Sequence, residues 1–316
     1  MITLSVIVPV KDGEAYIADT LTSLVRNARA DFKVPDFEVI VVDDGSADAT
    51  GTIVAEFRDE LPTLHVIRHS EPAGLAGARN AGLRLASGRY VTFLDGDDWL
   101  GRGYLAELVA AIEGLGCDFV RVDHVQSEGR RRETHWAPEA RRNTVLDPRE
   151  SILPADAKTM VDYPYAWAGI YRRELGDLLN FPAGLHTAED RPWIWRLHQR
   201  AKSFAVVSLA GVFYRRGLPG SLTQIGDARQ LHFFDAFDVL FAEVEERFRP
   251  KAVRTFCALL ANHLEQRDRL TPETAAAFES RGAEMLARLP ADLVTESVET
   301  LDPKRRALLV PERSAT

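Results

Sequence analysis

The chain has 316 residues, 46% hydrophobic and 27% charged, which excludes wholesale disorder and fits one large or two ordinary folded domains. Its net charge of −8 argues against a nucleic-acid partner, which would need a basic face to replace phosphate counterions. The two cysteines, Cys117 and Cys257, are too few and too far apart for a disulfide framework or a zinc site. Both lie beside apolar runs and read as buried hydrophobes in a reducing cytoplasm.

The first residues are apolar but lack a basic leader and stop at Pro9. They are too short for a signal peptide or a membrane span, and Leu4 to Val10 reads as a buried strand. No later window reaches the ~18 uninterrupted apolar residues of a transmembrane helix, so work on a membrane-bound acceptor would be peripheral. From Gly13 to Arg29 apolar residues recur at helical spacing (Ile17, Leu21, Leu24, Val25). Phe37 to Val42 is a second strand, ending in Asp43-Asp44-Gly45-Ser46, and Asp48 can cap the helix that follows. Leu64 to Ile67 predicts a third strand, Gly74 to Ala86 a small-residue helix, and Tyr90 to Leu94 a fourth strand running into Asp95-Gly96-Asp97-Asp98. Apolar strands alternating with helices imply an α/β fold with a mostly parallel sheet covered on both faces, which binds ligands beyond the carboxyl ends of its strands.

Further on, a helix is expected from Arg102 to Leu115, then strands at Phe119 to Val125 and Phe204 to Tyr214. Residues 126–148 are charged and aperiodic, and predict a hairpin or loop excursion. The basic clusters Arg130-Arg131-Arg132 and Arg141-Arg142 read as solvated. From about residue 226 the pattern becomes helical. It begins with an aromatic stripe (Phe233, Phe234, Phe237, Phe241), and Pro272 later opens another helix. That stripe packs either on the preceding domain or on a second copy, and a homo-oligomer is the expectation tied to it.

Three carboxylates within four residues at Asp95, Asp97 and Asp98 repel one another unless a cation or hydrogen bonds compensate. They are hard oxygen ligands suited to Mg²⁺ or Mn²⁺, which take one or two protein carboxylates and complete their shell with water and substrate phosphates. Asp43 and Asp44 could accept hydrogen bonds from a nucleobase or a ribose, or simply shape a turn. In Gly74 to Gly82 the glycines are explained by close helix–sheet packing, leaving Arg79 to reach a base or phosphate.

Together, Val6 to Val10, Val41 to Ser46, Gly77 to Gly82 and Gly88 to Asp98 resemble, in order and spacing, the inverting GT-A-fold bacterial glycosyltransferases of family 2. The resemblance covers residues 1–225, a nucleotide-sugar-binding and catalytic domain, and leaves 226–316 as a helical appendage. It implies a UDP-sugar donor held by the Pro9-Val10 backbone, Asp43, Asp44 and Arg79. Asp95 would meet the ribose or metal-bound water, Asp97 would ligate the metal, and the role of Asp98 stays open. The family's later acidic pair matches Glu189-Asp190. Asp190 would be the general base, Glu189 would orient it, and a single displacement inverts the anomeric centre. One of Arg215 and Arg216, with Ser221, would close over the diphosphate, and Trp167 would wall the sugar. Many relatives carry a lysine soon after that tryptophan, where Ala168 and Gly169 stand here, so the donor-sugar contacts are not carried over. His186, just before the acidic pair, could touch metal or acceptor, or neither. Trp193 and Trp195 are expected in the core. The acceptor would be a glycan, a lipid-linked glycan or a small molecule. The competing reading is a nucleotide-sugar-binding assembly subunit that has lost turnover, against which the acidic residues argue.

Overall fold

The computed structural model describes residues 2–29, 36–218, 221 and 224–309. Strands β1 (Leu4–Val10), β2 (Phe37–Asp43), β3 (Leu64–Arg68) and β4 (Tyr90–Phe93) run parallel in the spatial order β4-β1-β2-β3. Every residue of β1, β2 and β4 is buried, as continuous apolar strands in a sheet covered on both faces must be. Helices α1 (Ile17–Ala28), α2 (Thr50–Glu56) and α3 (Gly74–Leu85) make the crossovers. Asp48 holds the entry to α2 by accepting from Thr50 N at 3.0 Å and Glu14 N at 2.9 Å.

The chain continues through β5 (Trp99–Leu100), α4 (Tyr104–Leu115), β6 (Phe119–Val122), β7 (His124–Glu128), β8 (Arg131–His135), β9 (Gly169–Arg172), α5 (Asp190–Arg200), β10 (Phe204–Val207) and β11 (Val212–Arg215). The seven-stranded sheet has the order β10-β6-β9-β4-β1-β2-β3, and a four-stranded sheet has the order β5-β11-β7-β8. Strand β9 runs antiparallel to β4 and β6, so the sheet is mostly but not wholly parallel.

Two expected strands each divide between the sheets. Phe119 to Val125 breaks at Asp123, a fully buried carboxylate that accepts from Ala137 N at 2.8 Å and Arg142 Nη1 at 2.9 Å. Arg142 is therefore half of a partly buried ion pair, not a solvated loop charge. Phe204 to Tyr214 likewise breaks into β10 and β11.

The C-terminal region forms α6 (His232–Glu243), α7 (Arg249–Glu265), α8 (Pro272–Arg288), α9 (Ala291–Glu299) and α10 (Pro303–Leu309). Pro272 opens α8, and Thr271 Oγ1 caps it by accepting from Thr274 N at 3.2 Å. The aromatic stripe is covered by this chain's own helices. Phe233 stacks on Phe256 and Phe278 at ring-centroid distances of 5.7 and 5.6 Å, and Phe237 meets Phe256 edge-on at 5.1 Å. The apolar surface that suggested a second copy is thus buried within the chain. Polar ties run the same way. Arg196 makes a bidentate pair with Glu243 at 2.8 and 2.9 Å, and buried Lys251 reaches Asp162 at 2.6 Å. Trp193 and Trp195 are in the core, as are both cysteines. Among the described residues no helix is long and apolar enough to cross a membrane.

Candidate active site

The acidic motifs meet because β1 lies between the strands that carry them. Val10 is in register with Asp43, its carbonyl accepts from Asp44 N at 2.8 Å, and the Pro9 carbonyl accepts from Gly96 N at 3.1 Å. The Pro9-Val10 backbone, expected to touch the nucleotide, uses these carbonyls to hold both motifs. From α1, the Thr20 hydroxyl lies 3.0 Å from the Gly96 carbonyl and 2.7 Å from that of Asp98.

Asp43 and Asp44 do different work. Asp43 accepts from Ser46 N at 2.9 Å through Oδ1, while its buried Oδ2 has no hydrogen-bond partner and lies 3.7 Å from Arg68 Nε. Asp44 accepts from Ala73 N and Gly74 N, both at 2.8 Å, and sits 2.6 Å from His69 Nδ1. It therefore anchors the loop and the start of α3, which differs from the nucleotide contact expected beside Asp43. Gly74 has φ +77°, and a Cβ there would come within 2.7 Å of the His186 ring.

Arg79 also differs from expectation. It is 3% exposed, and it donates to Glu189 Oε1 at 2.8 Å and to Asp95 Oδ1 at 2.9 Å, with its guanidinium 5.1 Å over the Phe181 ring. Burial works against its charge, but Asp95 and Glu189 outweigh burial and raise its pKa. One side chain thus joins the strand-end acidic motif to an acidic pair that lies 110 residues after Arg79 in the chain.

Asp97 is half-buried and forms no ion pair among the described residues. Burial first, and then the Asp95 charge, push its carboxyl up to about 6. Asp98 is fully buried, accepts from Arg215 N at 2.7 Å, and has a second oxygen with no partner. Burial followed by the Asp97 and Asp95 charges raises its pKa well above the usual carboxylate range. Asp98 is the tie between the motif and the end of β11.

Arg215 is held in place by its neighbours. Its guanidinium lies 4.8 Å over Tyr16 and 4.7 Å over Trp99, Nε donates to the Asp97 carbonyl at 2.8 Å, and Nη2 meets Asp19 at 3.2 Å. Arg216 is exposed; among the described residues its guanidinium lies 5.5 Å over the Tyr214 ring, and Nη1 donates to the Tyr214 hydroxyl at 3.3 Å. Ser221 N donates to the Leu218 carbonyl at 3.3 Å; residues 219–220 and 222–223 lie outside the described residues.

Glu189 and Asp190 stand at the start of α5. Burial raises both carboxyls; Arg79 opposes it at Glu189, while Arg191 and then Arg79 oppose it at Asp190. Ala188, just before them, has φ +58°, a conformation that a residue with a Cβ holds only when its surroundings impose it. Trp167 is 3% exposed and does not present a free wall. Tyr165 stacks on it at 4.8 Å, with His124 at 4.9 Å and Tyr214 at 5.1 Å around it. Tyr165 and Tyr214 are the half-buried members, and burial raises the Tyr165 hydroxyl pKa, with the Arg191 charge opposing and the Asp190 charge adding to it. The sequence pointed to Trp167 in this segment and not to Tyr165.

Comparison with known proteins gives the family and the fold. Residues 5–178 match the family described as Glycosyl transferase family 2, so the chain belongs to that family. Glu189 and Asp190 lie beyond the matched span. Over 232 residues the chain is 31% identical to the uncharacterized glycosyltransferase EpsJ of Bacillus subtilis, covering 70% of this chain and 63% of that one. It is 29% identical over 269 residues to the poly(ribitol-phosphate) beta-N-acetylglucosaminyltransferase TarS of Staphylococcus aureus, covering 81% and 44%. The chain thus spans less than two thirds of the length of either relative. In fold it is similar to the crystal structure of S. aureus TarS 1-349 in complex with UDP-GlcNAc, with a TM-score of 0.71 at 22% identity, over 98% of this chain and 90% of that one.

Proposed function

We propose that this chain is an inverting glycosyltransferase that moves a sugar from a UDP-sugar to an acceptor hydroxyl, with Asp190 as general base. The observation that carries the reading is the Arg79 bridge. It fixes Asp95 and Glu189 on one cation and so brings the strand-end motif and the acidic pair into one site. The Asp97 carboxylate is left without an ion pair among the described residues, at an elevated pKa. UDP-GlcNAc in the TarS complex supports a uridine-diphosphate donor.

The donor set suits Mn²⁺ or Mg²⁺. Asp97 and Asp95 offer hard carboxylate oxygens, and a cation would offset both the burial and the Asp95 charge that raise the Asp97 carboxyl. Among the described residues no group of three or more His, Cys, Asp or Glu side chains could hold a metal. This fits an ion that shares its shell with substrate phosphates. Bound there, it would supply charge neutralisation for the departing diphosphate. Asp97 and Asp95 would hold that ion, Asp43 would accept from the uridine through Oδ2, and exposed Arg216 is the arginine free to meet diphosphate. Asp190 removes the proton of the acceptor hydroxyl as its oxygen bonds to the anomeric carbon. The bond from that carbon to the phosphate oxygen breaks, and UDP leaves with the electron pair. One displacement inverts the configuration. Glu189, fixed by Arg79, positions Asp190 beside it.

A panel of UDP-sugars with Mn²⁺ tests the reading through UDP release. One donor should give release that EDTA abolishes and Mn²⁺ restores. Release that ignores chelation would remove the metal, and tight binding without release would favour a nucleotide-sugar-binding subunit without turnover.

A further inference from the structure

We propose that His232, in the helical region beyond the family match, is a positioning residue that braces the backbone leading into Glu189-Asp190 by acting as a neutral hydrogen-bond acceptor. The inference rests on the reading of Asp190 as the base. The His186 backbone N donates to His232 Nδ1 at 2.8 Å, and the two imidazoles stack at 5.2 Å. One residue on, Thr187 Oγ1 donates to the Arg229 carbonyl at 2.8 Å. On its other side the His186 ring lies against Gly74, where no side chain fits. The next residue is the strained Ala188, and then the acidic pair. A backbone with a left-handed alanine persists only where its surroundings over-determine it. The Ala188 carbonyl accepts from Arg191 N at 3.1 Å, and the bonds that hold the two residues before it come from residues 229–232.

The chemistry fixes the state of His232. A backbone N–H can only donate, so Nδ1 must carry a lone pair, and the ring is the neutral tautomer with its proton on Nε2. An imidazolium donates from both nitrogens and would face His186 N with a second donor. The charged and titratable groups around the ring are His186, Asp235 on α6 and Arg281 on α8, with Asp227 acting on His186. Burial, and then His186, lower the His232 pKa below the ordinary 6.5, which keeps the acceptor form at neutral pH. As pH falls through that lowered value the brace is lost.

The test compares His232→Leu with His232→Asn in the full chain, since the asparagine Oδ1 can stand near the Nδ1 position and accept. Hydrogen exchange at the His186 to Asp190 amides, and hydrolytic UDP release from UDP-GlcNAc with Mn²⁺, are read for each, with melting temperature as the control for folding. His232→Leu should speed exchange at His186 at least tenfold and lower kcat about tenfold at unchanged KM. His232→Asn should restore both and remove the acid limb that His232 contributes to the kcat profile. Unchanged exchange in His232→Leu, or faster exchange with kcat intact, overturns the proposal. A fully active Asp190→Asn would instead overturn the base assignment and leave the exchange measurement to decide the brace.

Discussion

Arg79 decides how the site is held together. Its guanidinium is buried between two carboxylates, so removing it leaves two partly or wholly desolvated anions without a partner. Arg79→Met should therefore cost about 3 kcal/mol in urea unfolding. Arg79→Lys should recover only part of that loss, because an ammonium cannot serve both carboxylates with a planar fork. An Arg79→Met protein as stable as the parent would mean that the bridge contributes nothing to the fold. The acidic motifs themselves were legible in the sequence, because consecutive carboxylates after an apolar strand declare themselves locally. The partners of Arg79 were not, since one of them lies 110 residues away. Nor was the division of labour within Asp43-Asp44 or Asp97-Asp98. Which of two adjacent carboxylates turns inward depends on donors supplied by other segments, such as Ala73 N, Gly74 N and Arg215 N.

Among the elements, periodicity located β1 to β4 and their helices to within a few residues, because each carries its own apolar pattern. It could not see where a strand leaves one sheet for another. β6 and the start of β7 read as one run because Phe119, Val120, Val122 and Val125 are apolar, and the break comes from Asp123 pairing with Ala137 and Arg142 well downstream. β9 was missed altogether, since a run of four residues carries no period of its own. The break between β10 and β11 depends on Gly211, whose missing Cβ would lie 2.1 Å from the Tyr104 ring. Tyr104 is buried, so the clash cannot be relieved into solvent. Gly211→Ala should destabilise the protein by about 1–3 kcal/mol, read as a lower urea midpoint at unchanged slope. A neutral substitution would show that α4 shifts freely against the second sheet.

For the whole molecule, the helices beyond residue 226 share one apolar core with the sheet domain, and their turn at 229–232 touches the segment that carries the acidic pair. That core contains histidines that are neutral when folded. Burial lowers His198 and His124 to about 3 and His263 to about 4, from an ordinary 6.5. Between those values and 6.5 the unfolded chain binds more protons at these histidines, so their contribution to stability falls as pH drops below about 6.5, while the raised Asp97, Asp98, Glu189 and Asp190 carboxyls act in the opposite direction. The slope should approach about 1 kcal/mol per pH unit for each such histidine. His198 sits between Phe119 and Phe204 with its Nδ1 3.1 Å from the Ile194 carbonyl, so His198→Leu should flatten the profile. Equal pH 7 to pH 5 losses in parent and variant would contradict this.

On the proposed mechanism Asp190 removes the acceptor proton at a site whose donor is held elsewhere, by Asp97, Asp95 and Asp43. Asp190→Asn keeps the shape and removes the base, and calorimetry with Mn²⁺ alongside UDP release separates binding from turnover. With Asp190 as the base, donor Kd should stay within about twofold of the parent while UDP release falls by roughly 10²–10⁴-fold. Release at the parental rate, or loss of donor binding in step with release, would contradict it.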